Sequence, residues 1–305
     1  MRKAMIILGI LIIGMLIPVG FSTNDSQVVI TYGETTYNNA NYKNTVDTFF
    51  KNQANVDLNS VESKIISASD VNKISSTITG KTYSSSQIYS SALVDLNDND
   101  NLEVSVDKSQ ITTITGDMYI SALKSAGITA GHVYVTSPVS ATGESALAGI
   151  MNSYEVVTDV EIPETVKEAA NNEIYTQAEI VKNSDVNADD LSKLVDDVKE
   201  EVKEKNVTDH TTIVNIINNY TVVNNVNITN SDIENLATSI EQIQNVQGDI
   251  NTYQSEVSGA FNNTTNQAND FLGGLFNKST LFYFYQCFSF RPASIHLLKS
   301  LINIT

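Results

Sequence analysis

An α/β or α+β sandwich over residues 27–158, followed by a small all-helical domain over 163–262, is the architecture predicted for this chain of 305 residues. Three observations carry that expectation. Short β-branched runs alternate with stretches of helical spacing through the first half. Pro163 then opens a second half with few aromatics, many charges and apolar residues recurring along one helix face. Finally, a hydrophobic content of 41% supplies enough apolar material for one large core or two modest ones.

The elements follow in order. Gln27 to Tyr32 is a β-branched run stopped by Gly33 and reads as a strand. After the polar Asn38–Asn41, residues Tyr42, Val46, Phe49 and Phe50 fall at helical spacing. Ile65 to Ile78 fits either a strand or a helix. Gln87–Val94 and Leu102–Val106 flank the turn-like cluster Asp95–Asn101 and are expected to form a hairpin. Thr115-Gly116-Asp117 introduces a helix through Met118, Ile120, Ala122, Leu123 and Ala126, which Gly127 ends. His132–Thr136 is a buried strand, and a helix from about Glu144 to Tyr154 follows Ser137-Pro138 and Thr142-Gly143. In the second half, Leu191, Leu194, Val195, Val198 and Val202 share one face, as do Ile233, Leu236, Ala237, Ile240 and Ile243 behind an expected capping box of Ser231 and Glu234.

Both ends differ from the middle. Met1-Arg2-Lys3 leads an apolar run from Ala4 to Val19, and Gly20 and Ser22 suit the −3 and −1 positions of a cleavage site. Residues 1–22 therefore read as a secretory signal. An uncleaved anchor is the alternative, since roughly sixteen residues fall only a little short of the ~20 that span a bilayer. Residues 263–305 form an irregular tail with no acid after Asp270 and an aromatic run from Leu281 to Phe290, a composition foreign to the packed domains, as a shifted reading frame would produce.

Charge narrows the partners. The formal net charge is −17, and it becomes two units more negative if Arg2 and Lys3 leave with the signal. Such a surface repels phosphate backbones, so nucleic acid is excluded, and membrane contact is expected only through an uncleaved N-terminal segment or the aromatic tail. The lone Cys287 permits no intrachain disulfide. With only His132, His210 and His296 besides, no metal-ligand spacing is present, and neither a metal nor a cofactor is implied.

The motifs that approach chemistry are incomplete. In Thr142–Gly149, "TGESALAG", Ser145 lies two residues past Gly143, but a nucleophile elbow needs Gly-x-Ser-x-Gly and the final position is Leu147. Thr79–Ser85, "TGKTYSS", lacks the first glycine of a phosphate loop and reads as a turn. Asp95–Glu103, "DLNDNDNLE", repeats oxygens like a calcium loop, yet has Asp100 at position six and Val106 at position twelve. Several Asn-x-Ser/Thr triplets, among them Asn206, Asn219 and Asn227, permit glycosylation after export.

The stretches Ile114–Tyr119, Ser121–Leu123, Ala126–Ile128, Val133–Pro138 and Thr142–Ile150 together resemble the core of the YpuA-like secreted proteins, domain-of-unknown-function family 1002. Val28–Gly33 and Val166–Glu173 fit the same pattern, so the likeness covers roughly residues 27 to 205. The resemblance implies an exported, envelope-associated or extracellular protein and transfers no catalytic residue. It also implies that Ser145 begins a hydrophobic helix and has a structural role.

The expected function is accordingly an exported cell-envelope or extracellular protein, a non-enzymatic module that binds an envelope or surface component. No catalytic, cofactor or metal residue is assigned. The alternative is an extracellular hydrolase using dispersed carboxylates such as Asp117 and Glu144, which requires two acids close in space.

Overall fold

Strand β1 (Val28–Gly33) is buried along its whole length. That burial requires cover on both sheet faces, and helices supply it. Helix α1 (Glu34–Tyr37) and helix α2 (Ala40–Ala54) follow directly, with the Asn39 side chain accepting from the N–H groups of Asn41 and Tyr42 to cap α2. A computed structural model gives the structure of residues 27–260, apart from residues 79, 81 and 98–100. The expected signal, the tail from residue 263, Thr79 and Lys81 of "TGKTYSS" and the centre of "DLNDNDNLE" lie outside the described residues.

The ambiguous stretch from Ile65 contains both states. It ends strand β2 (Glu62–Ile66) and then forms helix α3 (Ala68–Ile78). Strands β3 (Ser91–Asp95), β4 (Leu102–Val106) and β5 (Gly131–Thr136) complete a sheet of order β2-β1-β3-β5-β4. Only β3 runs against its neighbours: β1 pairs with β2 and β4 with β5 in parallel, whereas β3 is antiparallel to both β1 and β5.

The expected hairpin between β3 and β4 does not form, because β5 lies between them. Helix α4 (Gly116–Ser125) makes the crossover that a parallel β4–β5 pair needs. The competition is settled by burial. β5 carries a nearly continuous apolar run and is buried at five of its six positions, while β4 is only partly buried and takes the edge.

On one face, Val46 and Phe50 of α2 pack against Val28, Ile30, Tyr32, Leu93 and Tyr134. On the other lies helix α5 (Ala146–Thr158), whose Gly149 sits against Thr31 so closely that a Cβ would come within 2.9 Å of the threonine methyl. The buried Thr31 hydroxyl is bonded to Ser153 of α5 at 2.7 Å, so a polar group within the apolar layer is satisfied. Gly127, at φ +81°, ends α4 as expected and leaves room for Ile250 and Tyr253.

Helices α6 (Glu164–Asn183), α7 (Ala188–Glu204), α8 (His210–Val223) and α9 (Asn230–Asn245) form the helical region, followed by a further helix from residue 247. Its core is purely aliphatic, built from Leu191, Leu194, Val195 and Val198 of α7, Ile213 and Ile217 of α8, and Leu236 and Ile240 of α9. The mixed sheet with helices, followed by a helical C-terminal region, is the predicted α+β architecture. Helix α4 touches both parts, packing on β4 as well as on α6 and α7, and the described residues through Gln254 belong to one compact unit.

One cap is corrected. The box on α9 uses Thr229 and Asp232, each side chain bonded to the other's backbone N–H, instead of Ser231 and Glu234. Starting at Thr229 puts Ile228 before the cap and Ile233 four residues into the helix, and both pack on the aliphatic core as a hydrophobic staple. A start at Ser231 would put Asn230 in the staple position.

Candidate functional site

The sequence-predicted candidates do not assemble into one site. Asp117 lies exposed in the first turn of α4, where a carboxylate suits the positive end of the helix dipole. Glu144 is buried in the turn before α5 and accepts a short hydrogen bond from the Thr142 hydroxyl. No hydrogen bond joins the two carboxylates among the described residues. Ser145 occupies the N-cap position of α5 in helical conformation and makes no capping bond with its side chain. Beside it, the fully buried Tyr119 donates to the Gly143 carbonyl at 2.6 Å, and burial, reinforced by the Glu144 charge, raises its hydroxyl well above the ordinary tyrosine value.

His132 is elsewhere, on β5. Its Nε2 lies 3.0 Å from Ser105 Oγ on β4, and its Nδ1 lies 3.1 Å from the Tyr134 hydroxyl. Glu103 approaches Nδ1 to 3.9 Å. The serine and histidine stand on neighbouring extended strands of the sheet, so Ser105 has none of the sharp-turn geometry that exposes a nucleophile and its oxyanion-binding amides.

A denser polar cluster lies where α4 meets α6 and α7. Glu173 of α6, 1% exposed, receives Lys199 Nζ of α7 at 2.7 Å. Ser125 Oγ of α4 donates to the other carboxylate oxygen at 2.5 Å. Ser121 Oγ lies between Glu173 at 2.5 Å and Asp196 at 2.6 Å. Lys199 also donates to Ser121 Oγ at 2.7 Å, Ser125 Oγ at 3.0 Å and the Ser121 carbonyl at 3.0 Å, and pairs with Asp196 at 3.2 Å.

A serine beside a lysine suggests a nucleophile–base pair, but the surroundings oppose it. Two carboxylates, Glu173 at 2.7 Å and Asp196 at 3.2 Å, face Lys199, and Ser121 is itself fully buried. The cluster behaves instead as a buried, mutually satisfied ion pair that ties α4 to α6 and α7. Sequence reasoning did not find it, because Lys199 lies 26 residues from Glu173 and 78 from Ser121. The available signal was Asn171, Glu173 and Gln177 interrupting the apolar buried residues of α6, and Ser121 and Ser125 one turn apart among buried residues of α4.

The second feature is open. A groove of about 850 Å³ runs between α6 and α9. Amide and hydroxyl side chains such as Asn172, Thr176, Asn235, Thr238 and Gln242 dominate its walls, and it is of the size that ligand sites occupy. Glu168, Glu179 and Asp232 contribute negative charge, and no lysine, arginine or histidine lines it.

Fold and site together define an α+β protein with a mixed five-stranded sheet, a locked polar junction and a polar interhelical groove. The chain belongs to the family described as "Protein of unknown function (DUF1002)", whose model matches residues 32–260. It is 36% identical over 107 residues to "Uncharacterized protein YpuA" of Bacillus subtilis (strain 168), a match covering 35% of this chain and 36% of that protein. The chain thus spans about a third of the length of the curated relative it matches. No solved structure matches it.

Proposed function

We propose that the protein is exported and acts at or outside the cell envelope as a non-catalytic module that binds a surface component. The observation that carries this reading is the contrast between its polar groups. Those with catalytic potential at the α4–α6–α7 junction are buried and consumed by one another, whereas the groove between α6 and α9 presents an open polar wall. The apolar run after Arg2-Lys3 supports export, and the acidic surface favours a neutral or cationic partner. Among the described residues no helix is long and apolar enough to cross a membrane.

Fractionation of cells producing the full chain, combined with N-terminal sequencing and co-sedimentation with isolated envelopes, tests the proposal. The expected form starts after Ser22, leaves the cytosol and pellets saturably with envelopes. Cytosolic protein retaining Met1, or exported protein that never pellets, overturns it.

A further inference from the structure

Strand β2 is an open edge of the sheet. It pairs with β1 on one side, and among the described residues no strand lies on the other, so its outward N–H and C=O groups have no ladder partner. Edges of this kind are commonly protected by an unpaired charge, most often a lysine. Lys64 does not play that part. Its ammonium lies 2.8 Å from Glu62, two residues away on the same face, and the strand carries no net charge.

Apolar surface also gathers at this edge. Among the described residues only Tyr37, Ile65, Val222 and Val223 are large hydrophobic side chains left exposed, and the first two adjoin Tyr32. Ile65 is the residue of β2 in register with Tyr32, and the Tyr37 ring lies 6.0 Å from the Tyr32 ring. Exposed apolar groups beside an unpaired strand mark a surface that another chain covers.

The residues of the edge select which chain. Directly opposed side chains of an antiparallel pair share a face. With a two-fold axis through Ser63, Glu62 stands opposite Lys64 of a second copy and Lys64 opposite the Glu62 of that copy. On the other face Val61 and Ile65 meet their counterparts in the same crossed way. An axis through Glu62 or Lys64 would oppose like charges, and a half-residue shift would set each charge against a neutral side chain. Of the two-fold registers centred within β2, only the one at Ser63 opposes unlike charges. A two-fold contact also closes on itself, whereas parallel addition of copies leaves an edge open for the next.

We propose that β2 is a self-association edge, at which two copies of the chain join antiparallel about Ser63 into one continuous sheet. This goes beyond the envelope-binding reading and stands independently of it. A contact built on one five-residue strand is smaller than a stable interface, so the dimer is weak and forms at roughly 100 μM and above.

Sedimentation velocity of the purified full chain, in reducing buffer that keeps Cys287 from linking chains, tests the proposal. The weight-average mass is expected to rise toward that of a dimer as the concentration approaches about 1 mM. Glu62→Lys and Lys64→Glu each oppose like charges at two symmetry-related points and should weaken association about tenfold, with unchanged circular dichroism. An equimolar mixture of the two variants should regain it, because each supplies the charge that the other lacks. A mass that stays monomeric up to about 1 mM, association unchanged in both variants, or a mixture that associates no better than either variant alone overturns the inference.

Discussion

The sheet half and the helical half solve the same burial problem differently. The sheet region uses aromatics and buried hydroxyls, with Tyr32, Phe50 and Tyr119 in its interior and Thr31 bonded to Ser153 across 122 residues of chain. The helical region centres on an aliphatic cluster, with Tyr220 packed at its margin, and holds its helix ends with local caps at Asn187, Asp209 and Thr229. The sheet region thus adds long-range polar matches between strand and helix to its apolar packing, whereas the bundle's helix ends rest on bonds within a few residues. The Glu173–Lys199 cluster is where the two styles meet, since hydroxyls from α4 of the first region satisfy an ion pair made by α6 and α7 of the second.

Breaking that junction gives the largest expected effect. Lys199→Met leaves the Glu173 carboxylate buried without its cation and should cost about 3–5 kcal/mol in urea unfolding. The paired change Glu173→Leu with Lys199→Met should recover most of the loss, because no charge is then buried. If the single variant loses less than 1 kcal/mol, the junction does not hold the halves together.

Core truncations sharpen the comparison. Leu93→Ala in the sheet and Leu194→Ala in the bundle are each expected to cost about 2–5 kcal/mol. If the junction couples the two cores, both variants shift one common transition followed by tyrosine fluorescence and by far-ultraviolet circular dichroism. Separate transitions would show two independently melting halves.

Caps come next in size. Thr229→Ala removes the side-chain acceptor of a capping box, leaving the backbone N–H of residue 229 bonded to Asp232, and should cost about 1 kcal/mol. Ser145→Ala, at an N-cap position without a side-chain bond, should stay within about 0.5 kcal/mol. An equal loss in both would contradict the local account of helix ends.

The smallest effect is a pH dependence confined to the bundle. His210 at the start of α8 is bonded through Nε2 to Glu234 at 2.9 Å and through Nδ1 to Glu241 at 2.8 Å, both on α9. These bonds, Glu234 first, raise its pKa above the ordinary value of 6.5. A raised folded pKa means the stabilisation is fully present below pH 6.5 and is lost as pH rises through the folded value. Thermal melts between pH 5.5 and 8.5 should show a small decline that His210→Gln abolishes, and an unchanged profile in that variant would show the bridge to be energetically silent.

Much of the fold was legible in the sequence. The helical spacing of Tyr42–Phe50, the stop at Gly127 and the apolar faces of α7 and α9 all correspond to observed elements, because each signal comes from groups within a few residues of one another. The sheet order was not legible. A turn-like cluster between two β-branched runs reads as a hairpin, yet β5 outcompetes β4 for the place beside β3. The Thr229 cap was missed for a related reason: two overlapping box patterns are equivalent locally, and only the aliphatic core that receives Ile228 and Ile233 decides between them. As for the candidate site, the polar face of α9 was visible, but its partner face on α6 was not, since their register depends on how the two helices pack.

By itself, the sequence determined where several strands and helices lie, among them β1, α2, α4, β5, α7 and α9, as well as the aliphatic character of the bundle and the acidity of the chain. Those properties follow from intrinsic conformational preference, periodicity and composition. Tertiary structure alone decided that β5 would split β3 from β4, that Ser121 and Ser125 would meet Glu173 and Lys199, and that Asn172 of α6 would meet Gln242 of α9. Distant segments compete for the same buried surface, and that competition is resolved only when the whole chain packs.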